Sequence, residues 1–190
     1  LTLSVIIKPS FMAIKDQFLL NMVAALSVRD FIKDKVGHTV CVKWPNDVLV
    51  DDLKLCGILI ENQIQGEYFT NSVIGIGLNV NQKGFYSKNA SSMAMITSRE
   101  FQLQEVFEQV LASLEKWYIV LKQKDYKKIK QAYLSSLYGV NQTRNFKTRS
   151  DVFEGIIRGV DEVGRLMIET QVGTRYFNTK EVQFDFEPFK

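Results

Sequence analysis

Val42-Lys43-Trp44-Pro45-Asn46-Asp47-Val48-Leu49-Val50, followed by Lys54-Leu55-Cys56-Gly57-Ile58-Leu59-Ile60-Glu61, sets two lysines, an amide and a carboxylate around one tight chain reversal. The Val- and Leu-rich runs on either side predict two strands, and the polar pair Asp51-Asp52 predicts the turn between them. Pro45 has no N–H to give a central ladder, so it marks a strand end or bulge where the following side chains are re-aimed. A glycine at the start of an apolar strand weakens it by roughly 0.5 to 1 kcal/mol relative to alanine. Gly57 therefore predicts a close approach by a ligand or by neighbouring backbone.

Outward from this stretch, residues 2–7 read as a short strand ended by Pro9. From Met12 the apolar residues Phe18, Leu19, Met22, Val23, Leu26, Phe31 and Ile32 recur at helical spacing, predicting an amphipathic helix that stops near Gly37. Strands are expected at about 39–44, 47–50, 55–64 and 67–79, the last two joined at Gln65-Gly66. A meander of strands behind one helix predicts a mixed α/β or α+β sheet domain. The polar stretch 81–97 reads as a long loop. Leu103, Val106, Phe107, Val110, Leu111, Leu114, Trp117, Tyr118 and Leu121 then mark a second amphipathic helix, and their spacing is that of core packing. Asp125 is placed to cap a further helix through Leu137. Lys122, Lys124, Lys127, Lys128 and Lys130 decorate it as a solvated face. After Gly139 the period becomes two, with short strands expected at 143–149, 152–160, 164–170, 173–178 and 181–186. Such dense β-structure reads as a small SH3-like barrel, too small for a large pocket, so the chemistry falls in the first domain.

Composition excludes several classes. With 46% hydrophobic and 24% charged residues the chain is of ordinary globular character. A net charge of +3 argues against a dedicated nucleic-acid binder. No apolar run approaches the roughly 18 residues of a membrane span, and no leader pattern occurs, so no membrane role and a cytoplasmic location are expected. Cys41 and Cys56 lack zinc or redox spacing and read as buried reduced thiols, and His38 has no second ligand nearby.

Gly75-Ile76-Gly77-Leu78-Asn79 lacks the third glycine and the following helix of a dinucleotide fingerprint, and no phosphate-binding P-loop occurs. Read alone, Lys54 is a surface lysine beside a turn, Asn46-Asp47 is turn chemistry after proline, and Gly75 to Asn79 is a packed strand with a polar end.

Read together, these segments resemble the biotin protein ligase family. K-W-P-N-D stands as Lys43 to Asp47, K-[LI]-[AC]-G-[IM]-L as Lys54 to Leu59, and G-x-G-[LI]-N as Gly75 to Asn79, in the family's order. Phe153-Glu154-Gly155-Ile156 and Arg158-Gly159-Val160-Asp161 extend the likeness into the C-terminal part. The resemblance implies an α+β fold. A class II synthetase-like mixed sheet with helices would span 1–138, and an SH3-like β-barrel 139–190. It implies activation of biotin by ATP as biotinyl-5'-AMP, then transfer to a lysine of the biotin carboxyl carrier domain of a carboxylase. Lys54 would be the catalytic residue. Lys43, Asn46, Asp47, Gly57, Ile58, Leu59, Gly75, Gly77 and Asn79 would bind substrates, with Asp47 near the magnesium ion through the phosphates.

The family's G-R-G-R-x-G-R-x-W loop is expected just before Leu1, so little turnover is expected from residues 1–190 alone. The alternative reading is a non-catalytic remnant acting as a protein-binding module. Homodimerisation through a strand edge, a preceding DNA-binding segment and the identity of the acceptor carboxylase stay open at this level.

Overall fold

The computed structural model describes residues 1–185. Its first sheet has strands β1 (Thr2–Ile7), β2 (Val40–Lys43), β3 (Asp47–Val50), β4 (Leu53–Gln65) and β5 (Tyr68–Leu78), in the order β1-β5-β4-β3-β2. The sheet, expected as mixed, pairs antiparallel at each of these contacts. The reason lies in the connections: β2 to β5 are consecutive hairpins, and short turns reverse chain direction each time. Asp51 and Asp52 form the β3–β4 turn with φ of 45° and 68°, the left-handed geometry that suits a two-residue hairpin. Gly66 and Glu67 lie between β4 and β5. Pro45 ends β2 as expected, and the Trp44–Pro45 peptide bond is cis.

Helix α1 (Phe18–Val36) follows a 3-10 turn at Ile14–Asp16, so the helix expected from Met12 begins several residues later. It is not the one-sided helix that its spacing predicted. An uninterrupted run from Leu19 to Val28, apart from half-buried Asn21, is buried on all sides. The cause is that α1 lies between the sheet and a second helical layer, α3 (Leu103–Lys122) and α4 (Tyr126–Ser136). Ala24 and Ala25 are completely buried, and Ser113 of α3 donates to the Ser27 carbonyl at 2.8 Å. Asp125 caps α4 as expected, its carboxylate accepting from the Lys128 amide at 3.1 Å. The stretch 81–97 contains a short helix, α2 (Met93–Thr97), capped by Ser92. Its brevity and polar approach hid it from the periodicity.

The second sheet comprises β6 (Thr143–Lys147), β7 (Val152–Val160), β8 (Leu166–Thr170), β9 (Gly173–Phe177) and β10 (Gln183–Asp185), ordered β10-β6-β7-β8-β9 and antiparallel throughout. Its five strands fall within the five segments that the period-two pattern predicted, and they suit a small SH3-like barrel although the sheet is not closed among the described residues. Residue 186 of the last expected strand lies outside the described residues. Phe146 and Phe153 stack at 5.6 Å, and Phe153 and Phe177 at 5.7 Å. Gly155 is required by close approach, because a Cβ there would sit 2.5 Å from Ile168 Cγ2 and 2.9 Å from the Glu169 carbonyl oxygen.

With α1 covering one face of the first sheet, the opposite face is open. Leu59 and Ile6, both apolar, are 63% and 69% exposed on it. Leu26→Ala in α1 is expected to lower stability by about 2 to 5 kcal/mol, whereas Leu59→Ala stays within about 0.5 kcal/mol. Gly155→Ala, overpacking backbone that has nowhere to move, should cost about 1 to 3 kcal/mol. Chemical denaturation of the three variants checks the ranking.

Candidate active site

The antiparallel register assembles the open face row by row. Thr2 pairs with Gly77, Gly77 with Gly57, Gly57 with Asp47, and Asp47 with Lys43. Directly paired residues share a face, so these five lie in one line across all the strands. The next row on the same face is Ser4, Gly75 and Leu59. Gly57, Gly75 and Gly77 thus form a floor without side chains, bounded by charge at the β2–β3 end and by Leu59 in the middle.

Lys54 reaches back over this floor. Its Nζ forms a 2.7 Å ion pair with Asp47 Oδ1, and the same Nζ lies 3.3 Å from where a Cβ on Gly57 would stand. The pair is partly open: the Lys54 side chain is 46% exposed and that of Asp47 23%. Burial holds the Lys43 pKa below the usual lysine value, with Asp47 opposing the shift and Lys54 adding to it. Two cations and one carboxylate therefore crowd one end of a bare backbone surface. A flat or extended ligand can lie on the glycines and direct an anionic group towards the lysines.

The backbone of Lys54 is fixed by the polar stretch before α2. Lys54 N donates to the Asn89 carbonyl at 2.8 Å, and Ser91 N donates to the Lys54 carbonyl at 3.1 Å. Asn79 ties the same stretch down, its Nδ2 donating to the Ser91 carbonyl at 3.1 Å. That amide was expected to face a ligand, and here it braces the segment that braces Lys54. Asn46 is likewise a brace: its Nδ2 donates to the Ile58 carbonyl at 2.6 Å and its carbonyl accepts from Ile58 N at 2.9 Å. The Ile58 side chain points to the helical face and is buried.

The structure therefore brings Lys43, Asp47, Lys54, Gly57, Leu59, Gly75 and Gly77 onto one surface. Asn46, Ile58 and Asn79 stand behind it through backbone contacts. Thr2 and Ser4 belong to the same face and escaped the sequence reading, although small polar residues alternating with Leu3 and Val5 carried the signal. No group of three or more His, Cys, Asp or Glu suited to a metal occurs among the described residues. One carboxylate, Asp47, fits an ion that takes its other ligands from phosphate and water. Cys56 is pushed up to about 12 and Cys41 to about 11, both mainly by burial, so these thiols stay protonated and inert. No described helix is long and apolar enough to cross a membrane.

Comparison with known proteins falls on these same elements. Residues 1–79 match the Biotin/lipoate A/B protein ligase family, and residues 142–185 match the Biotin protein ligase C terminal domain. The bifunctional ligase/repressor BirA of Bacillus subtilis is 28% identical over 169 residues, covering 86% of this chain and 52% of that protein. The biotin--[acetyl-CoA-carboxylase] ligase of Paracoccus denitrificans is 25% identical over 173 residues, covering 87% and 72%. The chain spans about half the length of the Bacillus relatives that it matches. In fold it is similar to the biotin protein ligase of Aquifex aeolicus, with a TM-score of 0.79 and 24% identity over 97% of this chain and 81% of that one. The Aquifex enzyme has also been solved in complex with biotin and ATP, and that structure matches with a TM-score of 0.78. Matches to both sheets, three motifs converging on one open face, and the shared fold lead to one assignment: the chain belongs to the biotin protein ligase family.

Proposed function

We propose that this chain carries the sheet surface on which biotin is joined to AMP and then passed to a lysine of a carboxylase carrier domain. The observation that carries this reading is the Lys54–Asp47 ion pair set over the floor of Gly57, Gly75 and Gly77. In the first half-reaction a biotin carboxylate oxygen attacks the α-phosphorus of ATP and pyrophosphate leaves. Negative charge builds on the oxygens between the two reactants. The Lys54 ammonium, held by Asp47 and by backbone bonds on both sides, meets that charge without reorganising. Lys43 adds positive charge on the same row. A magnesium ion, when bound through the phosphates beside Asp47, supplies further charge neutralisation.

In the second half-reaction the ε-amine of the carrier lysine attacks the acyl carbon, the bond to the phosphate oxygen breaks, and AMP leaves. Lys54 again faces the charge on the leaving phosphate. The glycine floor lets the biotin ring lie against the backbone of Gly57 and Leu59, and Gly75 and Gly77 leave room for the nucleotide. We assign residues 1–138 to the catalytic domain and 139–190 to the C-terminal barrel, in a cytoplasmic enzyme. The second family match favours biotin over lipoate as the acid, since it is a biotin protein ligase domain.

Lys54→Ala in the complete enzyme is expected to lower biotinyl-AMP formation on the order of 10²-fold or more, as for loss of one oxyanion donor. Adenylate formation close to wild type would sink the role. Gly75→Val puts a branched side chain on the floor in a residue type that suits strands. It should weaken ATP binding about tenfold or more while the melting temperature holds. Titration calorimetry with ATP, alongside thermal melting, separates a blocked surface from a damaged fold.

A further inference from the structure

Two consecutive residues of the site, Lys43 and Trp44, are engaged by the second sheet. Lys43 Nζ lies 4.9 Å from the centre of the Phe184 ring on β10. The buried Trp44 donates from Nε1 to the Gly164 carbonyl at 2.9 Å, across 120 residues of sequence. Both partners are rigidly held. Gly164 sits in the β7–β8 turn with φ of 90°, and a Cβ there would overlap the Phe18 ring of α1. The turn is closed by Asp161, whose carboxylate accepts from the amides of Val163 at 3.1 Å and Arg165 at 2.8 Å. Phe184 packs between Tyr138 at 6.0 Å and Phe146 at 5.6 Å, and Tyr138 N donates to the Val42 carbonyl of β2 at 2.8 Å. On the site side, Asn46 stands two residues beyond Trp44 and exchanges two bonds with Ile58, the neighbour of Gly57. A continuous set of contacts therefore runs from the second sheet, through residues 43–46, to the glycine floor.

We propose that the C-terminal sheet positions the charged end of the site, Phe184 setting the Lys43 ammonium and the Gly164 carbonyl setting Trp44 and the turn to Asn46. Both act on the site through Lys43 and Trp44, so both are positioning residues. The consequence for catalysis rests on the ligase reading, and the positioning itself does not. An ammonium over an aromatic face is held in direction as well as stabilised. A single buried N–H donor ties the tryptophan to one place.

Lysine-selective NMR of the ε-methylene and amide exchange at Ile58 and Ile74 test this on the 190-residue chain. Phe184→Ala is expected to move the Lys43 ε-methylene resonance downfield, towards its ordinary position, as the ring that shields it is removed. Trp44→Phe keeps the ring and removes the donor, and Ile58 exchange is expected to accelerate about tenfold. Ile74, in the part of the sheet away from the turn, should keep its protection. An unmoved Lys43 ε-methylene resonance overturns the assignment of Phe184. Ile58 exchange that only keeps pace with Ile74 overturns that of Gly164. Absence of biotinyl-AMP formation by the complete wild-type enzyme would remove the ligase reading and leave both of these readouts to decide the positioning.

Discussion

One-sided burial of the first sheet governs the molecule. Helix α1 is buried all round from Leu19 to Val28, apart from half-buried Asn21, because α3 and α4 cover the side that faces away from the strands. The opposite face then has to present whatever the alternate residues are. Those residues are Thr2, Ser4, Gly57, Gly75 and Gly77, small enough to leave backbone accessible, with Leu59 and Ile6 as apolar flanks. Side-chain alternation along strands thus converts a packing constraint into an accessible backbone surface.

Electrostatics completes that surface at one end. The reversal at 44–46 sets Lys43 opposite Asp47, and the Asp51-Asp52 turn returns the chain so that Lys54 pairs with Asp47. Asp47 keeps two neighbouring ammonium groups from acting on each other unopposed, which lets both remain close to a surface that suits phosphate. Asn46, Asn79 and the stretch 89–91 supply backbone bonds that limit how far Lys54 can move. The polar residues of these motifs divide into those that face the ligand side and those that hold the first group in place.

The second sheet enters through contacts remote in sequence. Within the Lys43–Asp47 motif, Trp44 donates to the Gly164 carbonyl and Lys43 lies over the Phe184 ring. A tryptophan buried with its N–H satisfied gives both apolar area and direction, a combination suited to joining two cores.

Much of this was legible in the sequence. The strand periods, the Asp51-Asp52 turn, the Asp125 cap and the long apolar helix at 103 all follow from local propensity and spacing, and the three motifs named residues that the register gathers at one open sheet face. Local pattern missed what depends on partners from elsewhere in the chain. It predicted a one-sided α1, because periodicity registers the sheet and not the second helical layer. An amide in a motif carries no mark of its partners either, so the bond from Asn79 to the Ser91 carbonyl was not legible. Nor could it find the joining of Trp44 to Gly164 or of Lys43 to Phe184, since neither contact has a periodic or nearest-neighbour signal. The sequence by itself determined the elements, their order and the residues that carry charge. Tertiary structure decided which sheet face stays open and which polar groups support it, because those depend on long-range packing and register.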